Sequence, residues 1–167
     1  IGLIAPSGNA SGQEEIRIAK ENMEKYGFKV EIGKHIDAQK GYLAGTDEER
    51  AADVNDMFSR AEIRGIATFL GGYGCCRILP FLDYNLIRSH PKVLVGYSDI
   101  TSFLLAIHQK TGLVTFHGSS GLTKVGDYAR KHFRQTIMSS TRIGEVAKPP
   151  KASEETADRN NRLMTIV

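Results

Sequence analysis

The stretch Val93-Leu94-Val95-Gly96-Tyr97-Ser98-Asp99-Ile100-Thr101 holds the residues best placed to do chemistry. A short apolar run reaches a glycine, presents a serine after one further residue, and resumes with helical spacing. Such a strand-to-helix corner lifts a hydroxyl clear of a sheet. It also leaves the following N–H groups, helped by the helix N-terminus, free to hold developing negative charge. The full G-x-S-x-G signature is not met, because Ile100 stands at the second glycine. A serine or aspartate here also serves as an ordinary helix N-cap. Local sequence leaves both readings open.

Two other segments could join Ser98. Gly71-Gly72-Tyr73-Gly74 places three glycines in four positions after an apolar run. That composition permits positive φ and close approach of backbone to a ligand. It fits an oxyanion donor, a phosphate cradle or a purely structural turn, and matches neither G-x-x-x-x-G-K-[ST] nor G-x-G-x-x-G. His117 closes another apolar run. Neighbouring strands lie about 5 Å apart, so it could meet Ser98 as a base, or be a hydrogen-bonded structural histidine. His35, His90, His108 and His132 are scattered and suggest no ligand set. Asp83 and Asp99 could orient a base or cap helices. Cys75 and Cys76 are adjacent, which implies no disulfide framework and fits reduced thiols of a cytosolic protein. They read as packing residues, with a reactive thiol as the alternative. Two cysteines without other ligands close by make a weak metal site.

These residues need a scaffold, and the periodicity supplies one. Ile1–Ala5 reads as a first strand, running into the turn Pro6-Ser7-Gly8. A helix follows over 12–26, with Ile16, Ile18, Ala19, Met23 and Tyr26 at near-helical spacing and Gly27 as its stop. A second strand is expected over 28–32, then a polar, glycine-bearing loop over 33–46. Thr46 and Glu49 form a capping box for a helix over 47–60 that buries Ala51, Val54, Met57 and Phe58. Strands over 65–70 and 92–97, short helical segments within 75–88, a helix over 99–110, a strand over 113–116 and a helix over 127–140 complete the pattern. Alternating strands and helices, with strands apolar on both faces, predict an α/β fold. Its parallel sheet is flanked by helices in a Rossmann-like or flavodoxin-like three-layer arrangement. Ligands in such sheets bind beyond the carboxyl ends of the strands. Pro6-Ser7-Gly8, Gly71–Gly74, Ser98-Asp99 and His117-Gly118 all fall there.

Composition bounds the rest. The chain has 167 residues, 41% hydrophobic and 25% charged, with a net charge of +3 spread along its length. That is about one domain with a real core and no nucleic-acid footprint. No apolar run approaches the length of about 18 residues that spans a membrane, and Ile1–Ala5 is too short for a signal segment. After about residue 144 the chain turns polar and reads as a linker. Leu163–Val167 then looks like a further strand cut short.

Taken in order, Ile4-Ala5-Pro6-Ser7, Gly71–Gly74 with Arg77-Ile78-Leu79, Leu82-Asp83-Tyr84, Pro91-Lys92, Gly96–Thr101 and His117-Gly118 resemble the LD-carboxypeptidase family of serine peptidases. That family includes murein tetrapeptide carboxypeptidases and microcin-immunity peptidases. The resemblance covers about residues 2–145, with Leu70 and Ser119 where the family often has Arg and Pro. It implies a two-domain, cytoplasmic, usually dimeric hydrolase. Residues 1–145 would be the N-terminal nucleophile domain, and 146–167 a linker and the start of a truncated C-terminal domain. Ser98 maps onto the nucleophile, and the N–H groups of Asp99 and Gly72 onto the oxyanion donors. Gly71, Tyr73 and His117 map near the substrate. The family's Glu and His belong to the C-terminal domain, so residues 1–167 alone are expected to be inactive. The implied substrate is a short peptide with a free carboxylate, cleaved at an L,D-bond in cell-wall recycling. The alternatives are a peptidyl-nucleotide, or a small-molecule binding module without chemistry. No metal or organic cofactor is implied.

Overall fold

Leu3 and Ile4, Ile66 and Ala67, Leu94 and Val95 are consecutive apolar pairs on three strands. Because side chains alternate along a strand, each pair sends one residue to either face of the sheet. Ile4, Ile66 and Leu94 enter one hydrophobic cluster with Val54, Met57, Phe58, Phe103, Leu104 and Ile107. Leu3, Ala67 and Val95 enter the other, with Ile16, Ala19, Met23, Tyr26 and Phe133. Two clusters separated by one sheet make the three layers. The structure, a computed structural model, describes residues 1–123, 126–139 and 144, and the backbone of 164–166.

The strands are β1 (Gly2–Ile4), β2 (Glu31–Ile32), β3 (Gly65–Thr68), β4 (Val93–Gly96), β5 (Thr115–His117) and β6 (Met164–Ile166). Their order is β2-β1-β3-β4-β5-β6. The first five pair in parallel and β6 pairs antiparallel with β5 at the edge. The helices are α1 (Gln13–Lys25), α2 (Asp47–Ser59), α3 (Tyr84–Ser89), α4 (Thr101–Thr111) and α5 (Asp127–Met138). Residues of α1 and α5 pack into the Leu3 cluster, and those of α2, α3 and α4 into the Ile4 cluster. β2 lies on one side of β1 and β3 on the other, so the order reverses between β1 and β3. The crevice beyond their carboxyl ends is the standard ligand position of such a sheet.

The α/β expectation holds, with differences in the elements. The strand expected over 28–32 shrinks to Glu31–Ile32, an edge strand with β1 as its only neighbour. The segment 75–88 divides into a 3₁₀ turn (Cys75–Phe81) containing Pro80 and the short α3, which Asp83 caps by accepting from the N–H groups of Asn85 and Leu86. Ile18, included with the apolar positions of α1, is exposed. The capping box at Thr46 and Glu49 forms as expected. The domain boundary expected at 145/146 lies outside the described residues.

Candidate active site

The corner after β4 bears on the cap reading of Ser98. Tyr97 is extended, and Ser98 then adopts φ 62°, the one non-glycine residue with positive φ among the described residues. A 3₁₀ turn (Ser98–Ile100) leads directly into α4, and Ile100, fully buried, anchors it. Neither this turn nor α4 has a side-chain cap, so the N-cap reading of Ser98 and Asp99 is overturned. Ser98 is exposed. A non-glycine residue held in the left-handed region costs about 1–3 kcal/mol and persists where its surroundings over-determine it. The corner is thus a strained strand-to-helix turn, formed without the second glycine of G-x-S-x-G.

Three turns surround the corner. Gly71 passes so close that a Cβ on it would lie 2.9 Å from Ser98 Cβ and 3.1 Å from its Oγ. Gly72 has φ 131°, and a Cβ there would meet the Gly8 N at 3.0 Å and Ser7 Oγ at 3.2 Å. The Gly8 N–H donates to the Gly71 carbonyl at 3.1 Å, joining the turn after β1 to the turn after β3. Gly72 is exposed, as is Tyr73. Asp99 follows Ser98 in the first helical turn, where N–H groups lack intrahelical acceptors. Its carboxylate neither caps nor reaches a histidine. Asp99 Oδ2 instead accepts from the buried Ser7 hydroxyl at 2.5 Å and from the Cys75 N–H at 2.8 Å.

His117 pairs in register with Gly96 on β4, which places it on the strand beside the Ser98 corner. Its ring meets the Tyr97 ring edge-on at 6.4 Å, and its buried Nδ1 has no hydrogen-bond partner among the described residues. Cys75 is buried, and its burial, followed by the nearby Asp99 charge, pushes its thiol far above the ordinary range. That fits the packing reading and removes it as a thiolate. Among the described residues no group of three or more His, Cys, Asp and Glu side chains could hold a metal. No helix among them is long and apolar enough to cross a membrane.

Two parts of this setting went unread in the sequence. Arg50 is 1% exposed and bridges the turns from behind, donating to the carbonyls of Pro6 at 2.7 Å and Gly74 at 3.1 Å. It also pairs with Asp47, which holds Arg77 at 2.9 Å. The signal was its spacing: Arg50, Val54 and Met57 share one helical face. The second part is the pairing of the segment 40–44, within the loop expected over 33–46. The segment is tied to the turn after β1 by bonds from Ala44 N–H to the Ser7 carbonyl and from Asn9 N–H to the Tyr42 carbonyl. Tyr42 is left exposed beside that turn.

Residues 1–118 match the LD-carboxypeptidase N-terminal domain. The chain belongs to the LD-carboxypeptidase family. It is 44% identical over 126 residues to a probable murein peptide carboxypeptidase of Bacillus subtilis, covering 75% of this chain and 39% of that protein. It is 35% identical over 130 residues to the microcin C7 self-immunity protein MccF of Escherichia coli, covering 77% of this chain and 38% of MccF. A solved structure of MccF in complex with aspartyl sulfamoyl adenosine superposes with a TM-score of 0.79 at 30% identity, over 95% of this chain and 50% of that one. The chain thus spans about two-fifths of the length of these curated family members. The parallel sheet, the glycine turn and the Ser98 corner are this family's N-terminal domain as it occurs here.

Proposed function

We propose that this chain is the nucleophile-bearing part of a serine carboxypeptidase that cleaves an L,D-peptide bond in murein peptides. The observation that carries the reading is Ser98: exposed, uncapped, and held at φ 62° against Gly71. Ser98 Oγ attacks the scissile carbonyl and its proton passes to a histidine, which a glutamate orients. Both partners are supplied by sequence beyond residues 1–167. The Asp99 and Gly72 N–H groups hold the resulting oxyanion, each worth about 3–4 kcal/mol in a hydrolase of this kind. The histidine returns the proton to the departing amine. Water then repeats the sequence on the acyl-enzyme, releasing acid and freeing Ser98. Tyr73 and His117 flank the substrate. The intact enzyme works on cytoplasmic murein fragments as a homodimer, with neither metal nor organic cofactor. A second reading, peptidyl-nucleotide substrates, is favoured by the sulfamoyl nucleoside bound to MccF.

The test compares the full-length protein with residues 1–167. Substrates are a murein tetrapeptide ending in D-Ala, its L-Ala counterpart and an aspartyl adenylate. Expected are release of D-Ala by the full-length protein only, and labelling of Ser98 by a fluorophosphonate. Preference for the adenylate selects the second reading. Peptide binding without turnover or labelling sinks both and leaves a binding module. Robust turnover by residues 1–167 removes the need for an external base and makes His117 the base.

Gly71 offers a sharper check. A Gly71→Ala methyl would push on Ser98 Cβ, which the strained corner cannot move cheaply. A misplacement near 1 Å costs about a hundredfold. Gly71→Ala is therefore expected to slow fluorophosphonate labelling of full-length protein about a hundredfold. An unchanged labelling rate would show that Ser98 is not held where the geometry puts it.

A further inference from the structure

We propose that the Asp99 carboxylate and the Ser7 hydroxyl are positioning residues that set the spacing of the two oxyanion donors; this rests on the reading of Ser98 as nucleophile. The donors sit on different turns, Gly72 after β3 and Asp99 after β4. Neither turn is fixed by local sequence alone. Both are fastened to a third turn, the one after β1, which carries Ser7 and Gly8. Gly8 holds the β3 turn through the Gly71 carbonyl, and Ser7 Oγ holds the β4 corner through Asp99 Oδ2. Asp99 Oδ2 also takes the Cys75 N–H, which fastens the corner to the exit of the glycine turn. The result is a closed triangle across three adjacent strands, β1, β3 and β4.

Charge cannot be what Asp99 contributes to the oxyanion. A carboxylate one residue from the nucleophile opposes negative charge building there, since like charges repel across short distances. Its useful property is an oxygen placed to accept two hydrogens at one point. Both bonds converge on Oδ2, so an asparagine with its carbonyl oxygen at that position accepts the same two hydrogens without the charge. Alanine accepts neither. Ser7 is 0% exposed, and its hydroxyl donates to Asp99 while packing against Gly72, so it acts from behind the two donor turns.

The test is run on full-length protein, with fluorophosphonate labelling and steady-state hydrolysis of the murein tetrapeptide. Asp99→Ala should lower kcat and the labelling rate about a hundredfold, the scale of a misplaced oxyanion donor. KM should stay within about threefold, because ground-state binding does not use the oxyanion site. Ser7→Ala should lower kcat about tenfold, removing one of two fastenings. Asp99→Asn should recover at least about tenfold of the kcat that Asp99→Ala loses, and the pH profile of kcat/KM should keep its shape in all three. An Asp99→Asn as damaged as Asp99→Ala, or a displaced profile, would overturn the proposal in favour of a charged role. So would an Asp99→Ala or Ser7→Ala with unchanged kcat. If Asp99→Ala does not fold, Ser7→Ala and Asp99→Asn decide on the same criteria. A Ser98→Ala variant with full turnover would instead defeat the nucleophile reading underneath, so the two failures are distinguishable.

Discussion

Ser98→Gly will give a protein that is more stable than its parent and catalytically dead. Ser98 is the one non-glycine residue among those described that occupies the left-handed region. Glycine enters that region freely, so the substitution relieves strain of about 1–3 kcal/mol, partly offset by glycine's greater freedom in the unfolded chain. A net gain of about 1 kcal/mol corresponds to a rise in Tm of about 2–4 °C for a protein of this size. Ser98→Ala removes the same hydroxyl and keeps the strain, so its Tm should stay near that of the parent. Both should lose turnover by a factor of about 10⁶ in the full-length protein, the scale seen when a triad serine is removed. The difference in Tm between the glycine and alanine variants isolates the strain from the chemistry. Equal melting temperatures would mean that Ser98 pays nothing for its geometry.

Arg50→Met is expected to be strongly destabilising. The guanidinium is buried and donates to the Pro6 and Gly74 carbonyls, both without exposure to water at those bonds. Methionine fills much of the volume but removes the donor to the buried Pro6 carbonyl, at about 1–3 kcal/mol, and one of two donors to the Gly74 carbonyl, which keeps the Arg77 N–H. Asp47 loses one cation and keeps Arg77. The expected loss is about 3 kcal/mol, read as a lower urea midpoint with unchanged slope. Arg50→Lys keeps the charge but cannot fork to two carbonyls, and should recover less than half of the loss. Because Arg50 ties the turn after β1 to the glycine turn, Arg50→Met should also slow labelling of Ser98. A midpoint within experimental error of the parent would show that Arg50 is dispensable.

How far the sequence could be read depended on whether a feature was periodic. The two-faced apolar pairs, the capping box at Thr46 and Glu49, and the glycine turn all carry local signals, and each appears where the spacing placed it. The corner at Ser98 was legible as a corner, yet local sequence could not separate a cap from a nucleophile. The positive φ that argues against the cap forms where Gly71, from a distant segment, lies against Ser98. The carboxylate of Asp99 was read as a cap or a base orienter, and neither role survives. Its partners are 92 and 24 residues away, and no pattern in one sequence reports such pairings. Arg50 was missed because a charged residue in a charged first turn reads as solvated surface. Only its alignment with Val54 and Met57 pointed inward. The short β2 shows the reverse error: an alternating apolar and charged run over 28–32 reads as a full strand where an edge position limits the ladder.

The Ser7–Asp99 bond has a bearing on when the corner can exist. It closes a chain segment of 92 residues. Closing such a loop is entropically costly and awaits the pairing of strands far apart in sequence. Until β1 has docked beside β3 and β3 beside β4, Asp99 has neither of its partners, and Ser98 has no reason to leave the ordinary backbone regions. A nascent or partly unfolded chain therefore carries a serine that is chemically unremarkable. The corner arrives with the completed sheet, as a property of the whole domain rather than of the nine residues that spell it.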